Sequence, residues 1–178
     1  MGQWDMQQLG PYLGYLPQDV ELFPGTIAEN IARFQDDAGE DVIAAARRAH
    51  AYEMILKLPK GFDTVLGEGG IRLSAGQAQR VGLARALFRL PRIVVLDEPN
   101  ANLDAEGEHA LVEALVELKQ QSTSIVMITH KPSLVASLDY LLVLRDGKID
   151  FLGPREEVIA RLSGAKPSVS SEPQKDLV

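Results

Sequence analysis

The sequence has no cysteine. That excludes a disulfide scaffold and any thiolate metal site, and it is compatible with an intracellular address. It has no uncharged apolar run of about 18 residues, so no segment reads as a membrane-spanning helix. Its first residues lack a basic start followed by an apolar stretch, so no secretory signal is expected in them. Positive charge is in the minority, with 18 Lys and Arg against 25 Asp and Glu and a net charge of −7. This argues against a nucleic-acid binder, whose domains carry a basic face. What remains is ordinary for a globular protein: 178 residues, 46% apolar and 24% charged. Such a composition excludes a mostly disordered chain, a collagen-like repeat and a coiled-coil rod, and the length suggests one domain.

Apolar periodicity and breakers divide the chain. Met1–Tyr12 reads as irregular, and Leu13–Leu16 as a short strand ended by Pro17. Pro24-Gly25 marks a turn. Thr26 and Glu29 then have capping-box spacing, which predicts a helix running to about Phe34. Glu40–Leu58 carries two short helical stretches, closed by Pro59-Lys60-Gly61. Thr64–Leu73, with three glycines, reads as a loop, and Ser74–Arg89 as a helix stopped by Pro91. Ile93–Leu96 is a continuous apolar run that suits a strand buried on both faces of a parallel sheet. A helix is predicted over Asp104–Lys119 and a strand over Ser124–Thr129, and Pro132 opens a further helical turn. Tyr140–Leu144, Asp146-Gly147 and Lys148–Leu152 read as a hairpin. Pro154–Leu162 is a last short helix, and Ser163–Val178 reads as a disordered tail. No internal repeat is visible. Strands alternating with helices imply an α/β layered domain with a mostly parallel sheet. In such sheets ligands bind at the carboxyl ends of the strands, so the residues just after Leu96 and Thr129 are where chemistry is expected.

Asp97 and Glu98 end an apolar strand. In phosphate-loop nucleotide hydrolases a strand-end Asp helps to hold Mg²⁺, and a following Glu can deprotonate the attacking water. The plain alternative is two solvated acids. Leu73-Ser-Ala-Gly-Gln77 opens a helix. It is either an ordinary capping box made by Ser74 and Gln77 or an anion site of free amides, with Gly76 permitting close approach. His130 follows a strand, where a lone histidine is more often structural. Gln18 alone is uninformative.

The order and spacing of these elements resembles the nucleotide-binding domain of ATP-binding cassette (ABC) transporters, over about Tyr12 to Leu162. Gln18 matches the Q-loop and Leu73–Gln77 the signature. Ile93–Glu98 matches Walker B with its glutamate, Ala101–Asp104 the D-loop and His130 the H-loop. Five ordered motifs together are specific. Thr64–Gly70 is similar to the T-x-x-G-E-x-G segment of exporters, and the wording of the motifs is most similar to type I secretion exporters of the protease/lipase branch. The resemblance implies a P-loop NTPase-like ABC ATPase fold with an inserted helical subdomain at about 26–89, inside a partial domain over 1–162. It implies ATP and Mg²⁺ as ligands. Glu98 is the implied general base and Asp97 the Mg²⁺ residue. Gln18 is implied to reach Mg²⁺ and water, and His130 to hold the γ-phosphate. Ser74, Gly76 and Gln77 are implied to make the signature contact to nucleotide on an opposing subunit, and Asp104 to communicate across the dimer. The implied partners are a second nucleotide-binding domain, head to tail, and a transmembrane domain. The implied place is the cytoplasmic face of the inner membrane.

Three residues depart from the family pattern. Ala75 stands where Gly is usual, Ala78 where many members have Arg, and Ala101 where Ser usually begins the D-loop. The largest departure is that no G-x-x-x-x-G-K-[ST] occurs: the only Gly-Lys pair, Gly147-Lys148, is followed by Ile149. The adenine-stacking aromatic and the transmembrane segment are also missing. The expectation is therefore a fragment from a longer exporter, inactive alone because its remaining motifs contact phosphate held by the missing loop. An alternative is a catalytically silent interaction module, or a remnant, that lends signature residues to a partner. Chromosome-maintenance or translation ATPases share the signature, but the Thr64–Gly70 segment and the acidic charge argue against them.

Overall fold

The computed structural model describes residues 9–36 and 38–163. The expected tail from residue 164 onward and the start up to residue 8 lie outside the described residues. The chain divides into two compact units, Met1–His130 and Lys131–Val178.

In the first unit a 3₁₀ turn over Gly10–Tyr12 leads into β1 (Leu13–Leu16). A two-residue strand, β2 (Gly25–Thr26), precedes α1 (Ile27–Ile31). The capping box at Thr26 forms as its spacing predicts: the Glu29 N–H donates to Thr26 Oγ1 at 3.1 Å, and the Thr26 N–H donates to Glu29 Oε2 at 2.6 Å. The helix is shorter than expected, ending at Ile31, because Arg33 and Phe34 take left-handed φ values of 56° and 58°. Asn30 is fully buried and bonds both backbone groups of Phe23, which fixes the loop ahead of the helix.

Two helices follow, α2 (Gly39–Arg48) and α3 (Tyr52–Leu56). Helix α2 closes with the His50 N–H bonded to the Arg47 carbonyl and the Ala51 N–H to the Ala46 carbonyl. This is the pattern of a Schellman end, with His50 in the left-handed position usually given to glycine (φ 50°). The expected loop over Thr64–Leu73 contains a short strand, β3 (Val65–Leu66), paired antiparallel with β2. Helix α4 (Ala75–Ala86) ends earlier than Arg89, and Arg89 and Leu90 turn left-handed before Pro91.

β4 (Ile93–Asp97), α5 (Ala105–Gln120) and β5 (Ser124–Ile128) complete the unit. The main sheet has the order β1-β4-β5, with both pairs parallel. Leu16 lies opposite Leu96, and Asp97 opposite Ile128. Gly14 has no room for a side chain, since a Cβ there would sit 2.1 Å from the Ala86 carbonyl. The expectation that Ile93–Leu96 is buried on both faces is not met. Leu16, Val94 and Leu96 are fully buried, but Tyr15, Ile93, Val126 and Ile128 on the other face are about half exposed. Among the described residues, helices that include α4 and α5 cover the buried face of the sheet. His50 lies between Glu113 and Glu117 of α5, at 3.5 and 3.6 Å, and so joins the end of α2 to that helix.

The second unit contains α6 (Pro132–Val135), β6 (Tyr140–Arg145), β7 (Lys148–Pro154) and α7 (Arg155–Leu162). β6 and β7 form the expected hairpin. Asp146 and Gly147 both have positive φ (50° and 73°), as a type I′ turn requires. The Arg155 guanidinium donates to the Ala136 and Leu138 carbonyls and anchors the hairpin to the segment before it. No described helix is long and apolar enough to cross a membrane.

Candidate functional site

Parallel pairing aligns the carboxyl ends of β1, β4 and β5, and three of the predicted residue groups come from those ends. Asp97 is the last residue of β4. Glu98 follows in a left-handed conformation (φ 45°), which is uncommon and strained for a residue with a Cβ. The turn is held because the Glu98 N–H donates to the Ile128 carbonyl at 2.9 Å and the Ala101 N–H donates to the Glu98 carbonyl at 3.0 Å. The Glu98 side chain is 19% exposed, and its Oε1 lies 2.9 Å from His130 Nδ1, whose ring is 85% exposed. The structure thus brings the two residues into contact. The polypeptide supplies the reason, since His130 lies two residues beyond the strand end to which Glu98 is bonded. Gln18 is exposed and lies two residues past Leu16, whose sheet partner is Leu96. It therefore emerges from the same edge as Asp97.

A second group is built around the tip of α4. Ser74 is the N-cap: the Gln77 N–H donates to Ser74 Oγ at 3.2 Å, and the Ser74 N–H donates to Gln77 Oε1 at 2.9 Å. The plain capping reading of these residues is therefore realised. Gly76 packs against the segment that follows Glu98, since a Cβ there would meet the Asn102 carbonyl at 2.9 Å. Asp104 caps α5, accepting from the Gly107 N–H at 2.8 Å. Arg80 lies 3.5 Å from Asp104 and 3.7 Å from Glu106.

Sequence reasoning assigns nothing to Gln79, Arg80, Asn100 or Thr129. In the structure Gln79 Nε2 donates to the Pro99 carbonyl at 3.2 Å, and Thr129 Oγ1 donates to Asn100 Oδ1 at 3.4 Å. The available signal was the spacing of Gly76, Gln79, Arg80 and Leu83, which puts them on one helical face.

The donor set can be tested against the implied cation. Among the described residues no group of three His, Asp or Glu side chains is arranged to hold a metal ion. Asp97 and Glu98 offer hard carboxylate oxygens from consecutive residues at the strand end. That fits Mg²⁺, which takes one or two carboxylates and completes its shell with phosphate oxygens and water. It does not fit a dedicated all-protein metal cage.

A family profile described as ABC transporter matches residues 1–101. The chain is 52% identical over 163 residues to the type I secretion system ATP-binding protein PrsD of Rhizobium meliloti (strain 1021), covering 91% of this chain and 28% of that protein. It is 43% identical over 157 residues to the ATP-dependent lipid A-core flippase of Haemophilus influenzae (strain 86-028NP), covering 87% of this chain and 27% of that one. Among solved structures, a bacterial Atm1-family ABC exporter with ATP bound superposes with a TM-score of 0.77 at 36% identity, over 87% of this chain and 27% of that chain. The chain therefore spans about a quarter of the length of the relatives it matches.

Proposed function

Since the chain belongs to the ABC transporter family, whose profile covers more than half of it, we propose that it is part of the ATP-binding and hydrolysing component of an exporter. The transport we favour is type I secretion of a protein or peptide, and the support is the similarity to the secretion protein of Rhizobium meliloti. The observation that carries the reading is the Glu98–His130 contact of 2.9 Å at the carboxyl edge of the parallel sheet. A lone capping motif or a pair of solvated acids would have no need for it.

In this reading Glu98 accepts the proton of the attacking water, and its partly buried carboxylate is aimed by the turn that holds it. Asp97 would hold Mg²⁺, which when bound would neutralise charge on the nucleotide's phosphates. His130 turns from Glu98 to the γ-phosphate, and Gln18 orients water at the same edge. Ser74 and Gly76 present the tip of α4 to nucleotide on a second copy, head to tail, with Gln77 shaping that tip through its cap. Asp104 lies at the dimer seam. A transmembrane domain completes the exporter and places the component at the cytoplasmic face of the inner membrane. The helices between residues 26 and 89 act as the helical subdomain.

Glu98→Gln in the complete transporter is expected to lower phosphate release by about 100-fold or more, the usual scale for a general base. ATP-dependent dimerisation should persist. Unchanged phosphate release would remove Glu98 from this role. The 178 residues themselves contain no G-x-x-x-x-G-K-[ST]. The chain alone is therefore expected to bind Mg·ATP weakly by calorimetry, and tight Mg²⁺-dependent binding would contradict the assignment of the remaining motifs.

A further inference from the structure

Helix α4 meets the Glu98–Glu106 segment along one face. Gly76 abuts the Asn102 carbonyl, Gln79 bonds Pro99, and Arg80 pairs with Asp104 and Glu106. Positions three and four apart lie on one side of a helix, so these contacts form a single seam. Gln79 is the buried member, with 2% of its surface exposed. Its Nε2 donates to the Pro99 carbonyl, while its Oε1 is buried with no hydrogen-bond partner. An amide that leaves its own oxygen unpaired is a poor choice for packing, because an apolar side chain of similar shape avoids the penalty. Core stability therefore does not account for it.

What the amide does is fix the turn that follows Glu98. Two peptide groups flank that residue. The one before it is tied to β5 through the Glu98 N–H and the Ile128 carbonyl. The one after it is held by the Ala101 N–H on the Glu98 carbonyl; the next residue is proline, which has no N–H, so its own carbonyl, one peptide further on, is the group left to hold. Gln79 holds it. With both flanking peptides bonded and the Pro99 carbonyl tied to α4, the left-handed backbone of Glu98 is held with its carboxylate directed at His130. We propose that Gln79 is a positioning residue for Glu98, acting from the helix that carries Ser74 and Gly76, so that a displacement of the helix tip is felt at the carboxylate. The catalytic meaning rests on the general-base reading above, but the positioning does not.

The chain has three histidines, His50, His109 and His130, so their imidazole ¹⁵N resonances can be followed separately. The spectra to compare are those of the unaltered 178-residue chain, Gln79→Met, Glu98→Gln and the double variant, each with a thermal melt. The expected result is that Gln79→Met moves the His130 Nδ1 resonance most of the way to its position in Glu98→Gln. His50 and His109 should stay in place, the melting temperature should hold, and the double variant should add nothing. If Gln79→Met does not fold, Gln79→Leu carries the same comparison. An unmoved His130 in a folded Gln79 variant overturns the proposal. So does a common movement of all three histidines, which would mean general loosening. Failure of the base reading shows elsewhere, as unchanged phosphate release in Glu98→Gln, so the two failures are distinguishable.

Discussion

At the scale of single residues, the role proposed for Glu98 sets stability against chemistry. Its left-handed backbone is a conformation that costs about 1–2 kcal/mol for a residue with a Cβ and that glycine adopts freely. Glu98→Gly is expected to keep or raise the melting temperature while abolishing phosphate release in the complete transporter. A clear fall in melting temperature would show that the His130 contact outweighs the backbone strain. The identities of Asp97, Glu98 and His130 as candidates were legible because each sits just after an apolar β-branched run. The Glu98–His130 contact itself was not legible, since it depends on β4 and β5 lying parallel at one register. Gln79 was silent for a related reason: a glutamine inside a helix reads as solvent-facing until the partner segment is known to cross it.

Among the elements, α1 depends on its cap. Thr26→Ala removes the oxygen that accepts the Glu29 N–H, and should destabilise the protein by about 1 kcal/mol in a denaturant titration. The Glu29 carboxyl is held below its usual range, first by the Thr26 backbone N–H and then by the Thr26 hydroxyl. A lowered folded-state value means that the contribution is present above the ordinary carboxylate range and is lost as pH falls through the lowered value. Melting curves should therefore show a smaller penalty for Glu29→Gln in strong acid than at neutral pH. An equal penalty at both would remove the ionised carboxylate from the cap.

Arg33 has a different task. Its guanidinium donates to the Arg85, Ala86, Gly10 and Leu13 carbonyls, which ties the end of α4 to the start of β1. Burial, and secondarily the nearby Arg85 cation, lower its pKa. A lysine has no planar fork to span those carbonyls, so Arg33→Lys should lower the melting temperature markedly, and an unchanged melt would refute the tie. Helix starts were legible from Thr26, Ser74 and Asp104, whose caps are local chemistry. Helix ends at Ile31 and Ala86 were not, because left-handed residues without glycine set them, and it is the surrounding contacts that hold those conformations.

For the molecule as a whole, the alternation of strands and helices disclosed the parallel sheet, but composition could not say which face would be covered. Ile93–Leu96 is apolar throughout, yet only alternate residues are buried. Tyr15, Ile93, Val126 and Ile128 form a half-exposed apolar face, and surfaces of this kind promote association. The 178-residue chain is expected to self-associate in sedimentation experiments, with Val126→Lys reducing association without lowering the melting temperature. A monodisperse monomer with a sharp melt would count against this. The sheet also has a consequence for synthesis. β1 pairs with β4, and Leu13 meets Ile93, 80 positions later (93 − 13). While the ribosome delivers the intervening stretch, the first strand waits without its neighbour. A nascent chain halted before Ile93 would leave Leu13–Leu16 as an open template, available to any foreign strand that reached it before its own.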